Sequence, residues 1–207
     1  MRASGVPVNE RGVMDGRLAL ELAGTIRHDG SGGMADDLDG VEGTARWLTT
    51  AAGLPPDCAA PPVDEELHAQ VVTLRGAVRT LFARVVGPDR PDPADTRPPA
   101  PDRDALALLN AAAARQAVVP RLRWEGPDAP TVEFAPGGGC PDTVATLARA
   151  AIAFLEGPDR ERLRVCAAPR CERYFVQAHG RQQWCGTSCG NRARAARHYR
   201  RHAAART

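Results

Sequence analysis

Four cysteines sit in one short stretch of the chain, Cys166-Ala-Ala-Pro-Arg-Cys171 and Cys185-Gly-Thr-Ser-Cys189. Two short-spaced pairs separated by a medium loop let a chain fold back and set four thiolates around one tetrahedral ion. An all-sulfur set suits Zn2+, and a closed four-ligand site is structural rather than catalytic. The spacing lies close to the commonest zinc templates, which prefer two residues between paired cysteines. The alternative is two disulfides, and nothing at the N-terminus supports the export that would favour them. His179 is a further donor in the intervening loop, but four cysteines already complete the set. Just after the last cysteine comes an Arg-rich segment, Asn191 to His202. Wound as a helix, it puts Arg194, Arg197, His198 and Arg201 on one face and Ala193, Ala196 and Tyr199 on another. A metal-anchored helix displaying Arg suits a DNA groove or backbone, and the alternative is a solvated face. Asn191 and Arg192 stand beside Cys189 and are assigned to bracing the metal loop, through its backbone or a ligand sulfur.

Cys189-Gly190-Asn191-Arg192 is the motif that names the CGNR zinc fingers, and the C-terminal stretch resembles them. The resemblance extends to the N-terminal ABATE domain found with these fingers. It rests on Leu18-Ala-Leu-Glu-Leu22, Ala45-Arg-Trp-Leu48, Leu74-Arg-Gly-Ala-Val-Arg-Thr-Leu-Phe82 and Pro120-Arg-Leu-Arg-Trp124. Where the family reads Asn-Thr after its first apolar run, this chain has Gly24-Thr25. The resemblance implies a bacterial, stress-induced transcription regulator. Its zinc finger would bind DNA, and its N-terminal domain would sense a small molecule or a protein partner.

Charge is distributed to match. Residues 160–207 hold 12 Arg and 2 acids, a net of +10, while residues 1–159 hold 15 Arg and 23 acids, a net of −8. A basic tail on an acidic body points to a polyanion partner for the tail, or to pairing between the two halves. All 27 basic residues are Arg, whose planar fork can donate two bonds to one phosphate. No apolar run approaches the roughly 18 residues of a membrane span. A soluble cytoplasmic protein is the expectation. Paired carboxylates at useful spacing, a nucleophile elbow, a P-loop and an open His-rich metal site are all missing, so no enzymatic activity is expected. Zinc could also serve a protein-interaction or RNA-binding adaptor.

The elements that must position these residues read as α+β, mainly helical. A helical N-terminal domain with one β-hairpin spans 15–158, and a zinc module ending in a helix spans 162–207. Leu18, Leu20 and Leu22 alternate like a strand, yet Leu18, Leu22 and Ile26 also fit a helix, which is preferred. Residues 28–40 read as a flexible acidic loop. Helices are expected over 42–52, 63–86, 102–117 and 142–155. In the second, Leu67, Val71, Leu74, Val78, Leu81, Phe82 and Val85 form a core stripe. Arg75, Arg79 and Arg84 lie off that stripe and are expected on a solvated face, as is His68. Residues 87–101 are a Pro-rich spacer. Val118 to Glu125 and Thr131 to Phe134 alternate as a hairpin, with Leu122, Trp124, Val132 and Phe134 expected to pack on helices. Phe175 and Trp184 are expected to pack over the metal. Cys58 and Cys140 read as incidental thiols.

Overall fold

The fold is described from a computed structural model. Residues 16–29, 33–51, 62–87, 102–124, 126–127, 129–137 and 140–204 are described here. Cys58 and the Pro-rich spacer, apart from Gly87, lie outside them. Among the described residues there are six α-helices and three two-stranded antiparallel sheets. The expected class, α+β with a helical majority, holds, but the structure has three hairpins rather than one.

Helix α3 (Glu65–Val86) is the spine. Asp64 caps it, its carboxylate accepting from the Leu67 N–H at 2.8 Å, and Glu65 and Glu66 complement the positive end. It stops at Gly87, whose φ of 90° few other residues adopt. The expected stripe is the core: Val71, Leu74, Val78, Leu81 and Phe82 are buried, with Leu67 and Val85 packed at its ends. Helices α1 (Arg17–Ala23), α2 (Gly40–Thr50), α4 (Asp102–Ala113) and α5 (Thr143–Glu156) pack around it. α5 starts at Asp142, which accepts from the Ala145 N–H at 2.8 Å, and it buries Val144, Leu147, Ala151 and Phe154. Phe154 meets Phe82 with ring centroids 5.0 Å apart.

Segment 28–40 is not simply a loop. Strands β1 (Ile26–His28) and β2 (Met34–Asp36) pair across it. This hairpin delivers Asp36 to α3, and there the expectation for Arg75 and Arg79 fails. Both are buried, Arg79 to 1 % exposure. Arg75 holds both Asp36 carboxylate oxygens, at 2.5 and 2.8 Å, and donates to Thr25 Oγ1 at 3.0 Å. Arg79 donates to the Ala23 carbonyl at 2.6 Å. The two arginines, one turn apart, tie the C-terminal end of α1, where backbone carbonyls need donors. Arg84 is exposed, as expected. His68 is half-buried, its Nδ1 2.8 Å from Thr44 Oγ1.

Strands β3 (Val118–Arg123) and β4 (Thr131–Pro136) form the expected hairpin, with Leu122 opposite Val132 and Pro120 opposite Phe134. Its packing differs from the expectation: Leu122, Trp124, Val132 and Phe134 are exposed, because no described helix lies against this face. After α5, a 3₁₀ turn (Pro158–Arg162) leads into a third hairpin, β5 (Leu163–Val165) with β6 (Tyr174–Val176). Helix α6 (Thr187–Ala204) closes the described chain. No described helix is long and apolar enough to cross a membrane.

Candidate metal centre

The β5–β6 hairpin carries the first cysteine pair in its connection. Cys166 directly follows β5, and its N–H bonds the Arg173 carbonyl at 2.9 Å. The turn closes through Cys171 N–H to Ala168 O at 3.1 Å, with Arg170 left-handed at φ 60°. Cys185 precedes α6, and Cys189 lies in its first turn, so the helix begins four residues before the expected Asn191. One cysteine pair thus comes from a hairpin turn and the other from a helix start.

The structure brings all four candidate ligands together. Their sulfurs lie within 4.8 Å of one another. Cys171–Cys185, Cys189–Cys171 and Cys185–Cys189 are 3.8, 3.7 and 3.5 Å apart. A tetrahedron with metal–sulfur bonds of about 2.3 Å has edges of about 3.8 Å, so the four sulfurs fit a tetrahedral ion. A disulfide needs about 2.05 Å, and none of the four cysteines is in one. Hydrogen bonds from Cys171 and Cys185 hold the Cys166 thiol far below its ordinary range. Donating to Cys166 pushes Cys171 up, and donating to Cys166 and Cys171 pushes Cys185 up; burial adds to both. Four sulfurs this close ionise together only beside a cation, which is what a divalent metal supplies. His179 is exposed and stands outside the cluster.

Around the sulfurs the family motif has a physical reading. Gly190 is buried, and a Cβ there would stand 3.3 Å from the Trp184 ring, so the small residue lets the indole lie on the helix start. Arg192 Nη2 donates to Cys189 Sγ at 3.2 Å, and the Cys185 N–H points to Cys166 Sγ at 3.3 Å. The role expected of Arg192 therefore has a direct contact behind it. Asn191 is exposed, and its side-chain oxygen accepts from Arg194 rather than from the metal loop. Phe175, Ala168 and Ala193 fill a small core with the cysteines, and Trp184 packs against it.

Alternation in the β5–β6 hairpin joins this core to the main one. Leu163, Val165, Tyr174 and Val176 face the helices, while Phe175 faces the sulfurs. Tyr174 sits edge-on to Phe82 at 5.4 Å, with the Arg79 guanidinium 5.4 Å from its ring. The sequence reading missed this link. Its signal was there in Leu163-Arg-Val165 and Tyr174-Phe-Val176, two short alternating runs flanking the first cysteine pair.

Along α6, Arg194, Arg197, His198 and Arg201 are exposed. Arg197 stands 6.0 Å from the centroid of the Trp184 ring. His198 Nε2 lies 3.0 Å from His202 Nε2. Ala193 docks as expected, but Tyr199 does not and is 74 % exposed. The described helix carries five Arg and no acid.

Two family profiles match the chain in order. Residues 16–158 match the ABATE family, described as "Putative stress-induced transcription regulator", and residues 162–202 match the CGNR zinc finger. No curated protein matches the sequence. With the first profile spanning well over half of the chain and the cysteine cluster inside the second, this protein belongs to the ABATE family and carries a CGNR zinc finger after the ABATE domain.

Proposed function

We propose that this chain is a DNA-binding regulator without catalytic activity, in which Zn2+ on Cys166, Cys171, Cys185 and Cys189 fixes α6 against the body. Arg194, Arg197, His198 and Arg201 then meet the duplex. One observation carries the reading: a tetrahedral thiol cluster grips the root of a helix that has five Arg, no acid and an exposed basic face. Such a helix neutralises phosphates, and Arg can also pair bidentately with guanine. Zinc supplies structure here, since four sulfurs leave no position for an activated water. In the ABATE domain, a groove of about 470 Å³ between α3 and α4, floored by Leu74 and Leu108 and edged by Glu66 and Arg115, is where a small-molecule signal would enter.

The test is duplex binding by fluorescence anisotropy across a salt series. About four neutralised phosphates give a log–log slope near −4. Changing Arg194, Arg197 and Arg201 together to Ala should flatten that slope to about −1 and weaken binding at low salt at least tenfold, with metal content unchanged. An unchanged slope would remove α6 from the interface. Exposed Tyr199 on the same basic helix favours a second reading, stacking on single-stranded RNA. A Tyr199→Ala loss confined to single-stranded probes would select it.

A further inference from the structure

The β3–β4 hairpin stands apart from the rest of the described molecule. It forms a two-stranded sheet by itself. Pairing and alternation put Pro120, Leu122 and Trp124 on one face with Val132 and Phe134. None of these is charged. Leu122 is 66 % exposed, Trp124 68 %, Phe134 57 % and Val132 42 %. The opposite face carries Val119, Arg121, Arg123 and Thr131, all exposed, and there Ala135 is buried. So the hairpin is open to solvent on both faces apart from Ala135, and its apolar face has no cover among the described residues. Of the eight large hydrophobic residues exposed among the described residues, four lie on this one face, which makes the exposure a patch rather than scatter.

We propose that this face is a twofold self-association surface, covered by the same face of a second copy of the chain. Leu122, Trp124, Val132 and Phe134 leave roughly 500 Å² open on each copy, a patch large enough to mark an interaction site. Two such faces packed together bury roughly 1,000 Å², which reaches the lower bound for a specific interface. A twofold contact requires one surface to complement itself, and an uncharged apolar face with two aromatic rings does so without setting like charges together. A charged partner would find no complement on it. The chain's own Pro-rich segment is a poor cover. None of the residues outside the described set is aromatic, and residues 88–101 contain no Val, Leu, Ile, Met or Phe. A lone two-stranded hairpin is marginal in water, and pairing with a second copy doubles the layers that hold it.

Sedimentation velocity of the full-length, metal-loaded chain from about 1 to about 100 µM tests this. The wild type should move from monomer to dimer as concentration rises, while Leu122→Asp should weaken association by roughly 100-fold and leave the far-ultraviolet circular dichroism and metal content unchanged. Should Leu122→Asp not fold, Trp124→Ser gives the same reading with a milder change. A wild type monomeric over the whole range overturns the proposal, and blue-shifted Trp124 emission in that monomer would assign the cover to the chain itself. Dimerisation at wild-type strength in either variant also overturns it, by placing the contact elsewhere.

Discussion

Arg192 and Arg75 spend their charge inside the molecule, whereas Arg194, Arg197 and Arg201 keep theirs outside, and sequence alone barely separates the two uses. Arg192 donates to a ligand sulfur at 3.2 Å, and partners of this kind set the affinity of a metal site. Arg192→Ala should lower zinc affinity about 10- to 100-fold in competition with a chromogenic chelator. No loss would reduce the contact to packing. For Asp36, partial burial pushes the carboxyl up, but the bonds from Arg75 and the Leu38 N–H outweigh it, and its pKa falls below the ordinary value. A depressed folded pKa means stability present above the unfolded value of about 3.9 and lost as pH falls through the folded value. The stability gap between wild type and Asp36→Asn should therefore be full at pH 7 and close on acidification below about pH 4. A gap independent of pH would show that Asp36 acts through shape alone. Arg75 was illegible because its partners, Thr25 and Asp36, lie 50 and 39 residues away. Helical spacing reports which side chains are apolar. It cannot report that a distant carboxylate will arrive to meet one that is not. The cysteine spacing, in contrast, was legible because a tetrahedral ion restricts the arrangement of its ligands locally.

Among the elements, the β5–β6 hairpin determines how the protein behaves as a unit. One face of it completes the helical core and the other the sulfur core. Loss of metal should therefore loosen more than the finger. Chelation should reduce hydrogen-exchange protection within α3 as well as α6. Leu163→Ala should destabilise the whole chain by about 2–5 kcal/mol, with metal release and helix melting in one transition. Two separate transitions would mean that the modules fold independently. Helix positions were readable from caps and apolar periodicity, as Asp64 and Asp142 show. The side on which a hairpin packs was not. Alternation in 118–134 marks a strand pair and its apolar face, but whether that face meets the body depends on contacts that lie beyond the strand itself. Tyr199 failed similarly: helical spacing grouped it with Ala193, yet the docking surface ends before reaching it.

At the scale of the whole molecule, the charge split takes on a spatial meaning. The helical body carries the acidic excess, and the basic half ends in a helix rooted in the cysteine cluster that carries its Arg outward. A body that self-associates through the β3–β4 face would present two such helices, as a twofold DNA site requires. In the proposed mechanism, metal at the four cysteines makes α6 a DNA-binding element. This role is tested most directly by anisotropy of a labelled mixed-sequence duplex with the full-length protein at low salt, before and after a zinc chelator, with zinc then restored. Binding should be salt-sensitive, disappear with chelation and return with zinc. Binding that survives complete removal of the metal, or no binding by the zinc-loaded protein at low salt, would contradict that mechanism.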